Sequence, residues 1–223
     1  MDHVIEAPAL ALRPRLRGWL HAYAGAVSVG TGIALISVAG SQRGALAGFA
    51  TAVYAVTVLG LFSTSATYHR LNWSARGRAV MKRLDHSMIF ILIAGTYTPI
   101  ALLGLPDRTG EIVLTVVWLG AIAGVTLKSA WPSAPRWLGV PLYLALGWVA
   151  AFVFPPLLHG VGVAGVVLLA VGGALYSLGA VVYALRWPDP RPATFGYHEV
   201  FHLCTILAAI CHYIAVWFAV FAS

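Results

Sequence analysis

Charged side chains are what this sequence has least of. Only 9% of its 223 residues are Asp, Glu, Lys or Arg, while 60% are hydrophobic. Soluble domains average roughly 25% charged residues, so water is excluded as the main solvent of this fold. Acidic residues are the scarcest, seven in all, which leaves a formal net charge of +7. Such an excess can signal nucleic acid. Here the basic residues sit in short segments between apolar runs, where charge sets orientation and meets anionic lipid headgroups, and no nucleic-acid partner is expected. Cysteine is nearly absent as well. Cys204 and Cys211 lie seven residues apart on one expected helix, about 10 Å along its axis, too far for a disulfide, and they read as two small buried thiols. Also missing are a short apolar core with a cleavage site at the N-terminus, a soluble domain, a low-complexity tract and an internal repeat. Residues 1–18 are polar and Arg-rich, so the first apolar run is expected to remain as an anchor. Arg outnumbers Lys, and Ala and Gly are abundant, the composition of a GC-rich bacterial genome.

What fills the chain is apolar stretches near residues 19–39, 46–69, 85–105, 111–130, 137–157, 162–186 and 198–221. Each approaches the roughly 20 residues that cross about 30 Å of hydrocarbon, and none alternates as barrel strands would. The expected fold is all-α: a polytopic membrane protein of seven transmembrane helices, with a tail at residues 1–18 and a single membrane domain at 19–223. Pro106, Pro132, Pro135, Pro188, Pro190 and Pro192 punctuate the connections.

Orientation follows from Lys and Arg counted in alternate connections. Arg13, Arg15 and Arg17 precede the first stretch; Arg70, Arg76, Arg78, Lys82 and Arg83 fill the second connection; Lys128, Arg136, Arg186 and Arg191 complete the set. The opposite side holds only Arg43 and Arg108. The N-terminus is therefore expected in the cytoplasm and the C-terminus outside. Trp19, Trp73, Trp131, Trp137 and Trp187 flank helices on the same inner side, as interfacial anchors do.

Against this background a few polar residues need a reason, because ionisable groups in membrane helices are costly. Ser65 and His69 end the second stretch, Asp85 starts the third, and His198 and His202 start the seventh. The expected topology puts all five at one depth near the cytoplasmic face. Residues four apart share a helix face, so His198 and His202 form a two-imidazole clamp. With His69 they supply three neutral nitrogens, the ligand set of a catalytic zinc with one position open for water. Asp85 could orient or deprotonate that water, and Ser65 could hydrogen-bond it or a developing oxyanion. Taken singly, each has an ordinary explanation: a His pair at a lipid interface, Asp85 paired with Lys82 or Arg83, Ser65 as a helix-packing residue. Their coincidence at one depth is what points to a site.

Other features are weaker. His21 begins the first helix on the inner side and could join the cluster; His86 points about 100° around its helix from Asp85. His212 lies about 15 Å further along the seventh helix, too far to share an ion, and His159 and His3 fall in an outer connection and the tail. Thr96, Tyr97, Thr98 and Pro99 either line a polar cavity or satisfy a proline kink internally. His198-Glu199-Val-Phe-His202 also fits the H-E-x-x-H pattern, which makes a membrane metalloprotease a rival; otherwise Glu199 faces the interface or binds Arg191.

These motifs resemble those of the hemolysin III proteins, bacterial members of the progestin and adipoQ receptor family. The resemblance rests on Ser65-x-x-x-His69, on Leu-Asp85-His86-Ser87 followed by Gly95-Thr-Tyr-Thr-Pro99, and on His198-x-x-x-His202, and it covers essentially the whole chain. It implies seven helices, zinc held by His69, His198 and His202, Asp85 beside the zinc's water, and a relation to alkaline ceramidases. Many bacterial members carry a Glu and an Asn shortly before the first helix's His, where this chain reads Arg15-Leu-Arg-Gly-Trp-Leu-His21. The expected function is that of a zinc-dependent hydrolase of a lipid amide or ester in the bacterial plasma membrane, with membrane lipids as partners. The alternatives are a receptor or membrane-homeostasis sensor with structural zinc, and a pore-forming cytolysin.

Overall fold

The computed structural model describes residues 14–131 and 136–221. Arg13, His3, Pro132 and Pro135, and the side chains of Arg136 and Trp137, lie outside the described residues. Among the described residues the regular elements are helices: α1 (Trp19–Arg43), α2 (Ala45–Arg70), α3 (Ala75–Gly104), α4 (Asp107–Ala130), α5 (Arg136–Gly147), a 3₁₀ segment (Trp148–Val153), α6 (Phe154–Leu185) and α7 (Tyr197–Phe221). Six stretches among the described residues are long and apolar enough to cross a membrane; the fifth of them is a 48-residue run, Leu138–Leu185. The outward faces carry Tyr23, Phe49, Ile122, Phe152 and Val163, exposed as residues against lipid should be.

Helices α1 and α2 pair closely, as do α2 with α3, α3 with α4, and α6 with α7. Helix α3 also touches α5, α6 and α7, so it is the bundle's central element. One residue, Gly44, turns α1 into α2 at φ 87° and ψ −178°, a conformation open essentially to glycine alone.

Two boundaries differ from expectation, each for a visible reason. Helix α3 starts at Ala75, ten residues before the expected start at Asp85, because Ser74 caps it by accepting a hydrogen bond from the Gly77 N–H at 3.1 Å. Arg76, Arg78, Lys82 and Arg83 are therefore helical, and Asp85 stands in the helix interior. The expected helix at 137–157 is broken into α5, the 3₁₀ segment and the start of α6. Pro155 and Pro156 lack the N–H groups that would continue the α-helical ladder backwards, so α6 begins afresh there. The frayed segment is held from outside: the Tyr97 hydroxyl donates to the Gly147 carbonyl at 2.7 Å and accepts from the Ala150 N–H at 2.8 Å. A second interruption follows at Gly162, whose φ of 69° departs from helix inside α6.

The segment before α1 is no free tail where it is described. Arg15 and Leu16 donate backbone hydrogen bonds to Ala193 and Thr194 in the α6–α7 connection. Gly18 abuts His69 and Arg70, and the Arg70 guanidinium lies 3.5 Å over the Trp19 ring. These contacts gather the N-terminus of α1, the C-terminus of α2 and the N-terminus of α7 at one end of the bundle.

Candidate metal centre

At that end three imidazoles meet. His69, in the last turn of α2, faces His198 and His202, one turn apart at the start of α7. One ring nitrogen from each lies within 4.8 Å of the others, and the Nε2 atoms of His69 and His198 are 3.1 Å apart. The His202 ring is buried, and its Nδ1 has no hydrogen-bond partner. Neutral imidazoles converging in this way, one with an orphaned buried nitrogen, form a donor set that could hold a metal ion.

Asp85 and Ser65 complete the site. Ser65 lies beside the Asp85 carboxylate, whose Oδ2 is 4.0 Å from His69 Nε2 and 3.8 Å from His86 Nδ1. Among the described residues Asp85 makes no ion pair with Lys82 or Arg83, so its ordinary explanation fails. All five residues expected at one depth are thus neighbours around one cavity.

That cavity has a volume of about 390 Å³ and opens between α2, α3, α5, α6 and α7. Below the polar cluster its walls are chiefly apolar, with Leu61, Ile89, Leu92, Leu144 and Phe201 among them. The Thr-Tyr-Thr-Pro segment lines the cavity through Thr96 and Tyr97. The hydroxyls of Thr96 and Thr98 bond the carbonyls of Leu92 and Ala94, other carbonyls than that of Gly95, the one Pro99 leaves without its N–H. His212 lines the far end, with Nε2 3.3 Å from the Leu169 carbonyl, outside the cluster as expected.

Glu199 departs from both readings made of it. It neither faces the interface nor binds Arg191: it is fully buried, pairs with Arg17 and accepts the Gly196 N–H at 2.9 Å. Both carboxylate oxygens are engaged away from the cavity, which removes the freedom that a metalloprotease's general base needs. The residue missing from the sequence-derived site is Arg17, just before α1. His21 joins the cluster, stacking on His202 with centroids 3.8 Å apart and planes 14° apart, and Arg17 precedes the helix. The sequence already places His21 on the inner side of the first helix, whereas the contact of Arg17 with Glu199, 182 residues away, has no local signal.

Fold and site together define a polytopic helical membrane protein with a three-histidine cluster at the head of an intramembrane cavity. Residues 10–213 match the family described as Haemolysin-III related, and the chain belongs to that family. It is 34% identical to a hemolysin-3 homolog of Bacillus subtilis over 59% of this chain and 61% of the relative's own length. With the hemolysin-3 of Bacillus cereus it shares 32% identity over 73% and 74% of the two chains. A rice protein, heptahelical transmembrane protein ADIPOR2, is 29% identical over 74% of this chain and 79% of its own.

Proposed function

We propose that the chain is a zinc-dependent hydrolase of a lipid amide or ester, working at the cytoplasmic face of a bacterial plasma membrane. The observation that carries this reading is the convergence of three histidine nitrogens with the Asp85 carboxylate at the mouth of a largely apolar cavity. Zinc fits the donor set. Its bonds to nitrogen of about 2.0–2.1 Å in a tetrahedron separate two ligand nitrogens by roughly 3.4 Å, close to the 3.1 Å between His69 and His198. When bound, zinc supplies Lewis acidity towards a carbonyl and a water acidic enough to ionise near neutral pH. The remaining work falls to the protein. Asp85 accepts a proton at a carboxylate oxygen, Ser65 orients that carboxylate and offers a donor to developing negative charge, and the apolar walls hold the lipid's chain and exclude bulk water.

Seven crossings, with the N-terminus inside, suit this reading. A straight helix of 48 residues would be about 70 Å long, more than twice the hydrocarbon thickness, and Gly162 interrupts the Leu138–Leu185 run. Two crossings there make seven, the number in the rice relative's name. The Lys and Arg excess at the site's end argues for the cytoplasm.

The test is metal analysis joined to lipid turnover. His202→Ala should lose zinc and turnover together, while Asp85→Ala should keep zinc and lose turnover. Full turnover after zinc removal would refute the hydrolase. A second reading draws on a yeast relative named as an ADIPOR-like receptor: a sensor in which zinc ties α2 to α7. It expects Asp85→Asn to leave function intact. The hemolysin-3 names point to a cytolysin, which expects histidine-independent leakage from liposomes.

A further inference from the structure

The rim of the cavity is cationic in a way that the proposed hydrolysis leaves unused. Arg78 and Lys82 line it from α3, at the same end as the histidine cluster. Along α3 the lining positions are 78, 82, 85, 86, 89, 92, 93, 96 and 97, which is one continuous helix face. Read from the membrane surface inward, that face presents two cations, then the Asp85 carboxylate, then apolar side chains. Arg78 is half-buried and Lys82 exposed.

Among the described residues neither cation has an ion-pair partner. Glu199 is engaged by Arg17, and Asp85 has His69 and His86 as its near partners. Lys128, buried near the end of α4, lies within electrostatic reach of Lys82 and adds a further positive charge. Like charges gathered at a low-dielectric boundary repel unless a counter-charge joins them. The rise along the helix sets the spacing: Lys82 and Arg78 stand about 5 and 10 Å from Asp85 towards the surface. An arginine fork and an ammonium at that distance suit a phosphate ester, the arginine binding two oxygens and the lysine acting as a point charge.

We infer that Arg78 and Lys82 form a head-group subsite, and that the cavity's ligand is an amphiphile bearing a phosphate ester within about 5 to 10 Å of the group presented to Asp85. This names the ligand class of the site described above and rests on the cavity being its binding site. It does not require turnover.

The experiment is a calorimetric titration of the full chain in phosphatidylcholine nanodiscs, with empty discs as baseline. The probes are dodecyl phosphate, dodecanol and inorganic phosphate. Dodecyl phosphate should bind saturably, at least tenfold tighter than either of the others. Arg78→Gln/Lys82→Gln should lose at least tenfold in dodecyl phosphate affinity, whereas the charge-keeping swap Arg78→Lys/Lys82→Arg and the opposite-end control Arg43→Gln/Arg108→Gln should each stay within threefold of wild type. His202→Ala should still bind dodecyl phosphate. Equal affinity for dodecanol, or an undiminished preference in the double Gln variant, overturns the subsite. Inorganic phosphate binding as tightly as dodecyl phosphate makes it a free-phosphate site and overturns the amphiphile. Loss of binding in His202→Ala alone would put the anion on the metal cluster and overturn the assignment to Arg78 and Lys82. Selective binding without hydrolysis of any lipid would leave the subsite standing and refute the hydrolase alone.

Discussion

Removing the Arg17 guanidinium is the most direct way to ask whether the chain before α1 helps to build the metal centre. Glu199 lies between His198 and His202, its side chain is 0% exposed, and its carboxylate has two donors, Arg17 and the Gly196 N–H. Arg17→Gln would leave a buried charge with one donor. Breaking a buried pair in this way costs about 3–5 kcal/mol, and the 22% exposure of the Arg17 side chain, which admits water, argues for the lower end. A loss of about 3 kcal/mol in a chain of this size lowers Tm by about 6 to 12 °C. Glu199→Gln should cost less, since its amide oxygen still accepts a hydrogen bond and the stranded Arg17 reaches water. The double Gln variant should recover about 2 kcal/mol relative to the sum of the singles. Thermal unfolding of all four proteins in one detergent closes this cycle. Because the pair fixes the first turn of α7, zinc affinity in Arg17→Gln should fall by about 10- to 100-fold. If Arg17→Gln melts within about 2 °C of wild type, or if the two substitutions simply add, the pair does not hold the site together.

Tyr97→Phe should strand the Gly147 carbonyl and the Ala150 N–H, lowering stability by about 1–3 kcal/mol for each group left unsatisfied and speeding amide exchange at residues 147–150, read by hydrogen–deuterium exchange. A chelator should lower the Tm of wild type but not that of His202→Ala, because only a protein that holds the ion is stabilised by it. Gly44→Ala should destabilise by about 1–3 kcal/mol without changing zinc content, measurable by thermal melts and metal analysis, since the strain sits at the end of the bundle far from the histidines.

The histidine cluster was legible in the sequence because two simple periodicities point to it. His198 and His202 are four apart, and the alternating Lys and Arg content of the connections brings His69 and Asp85 to their depth. The start of α3 was not legible from hydropathy, since Arg76 through Arg83 read as a polar connection; the signal lay in Ser74, a capping residue. The break at residues 148–153 was hidden for the opposite reason. Its side chains are as apolar as those of a helix, and only Pro155 and Pro156 marked the end of a ladder. The part played by Arg17 and Glu199 depends on a contact across 182 residues of sequence, which no local pattern reports.

The bond network at Tyr97 has a wider bearing. A regular helix carries its own hydrogen bonds and keeps its shape when a neighbour moves, whereas residues 147–150 borrow theirs from a phenol on α3. Tyr97, Gly147 and Trp148 all line the cavity, so one hydroxyl group ties two parts of its wall together. An occupant that displaced the ring would take away the hydrogen bonds of the adjoining wall at the same moment.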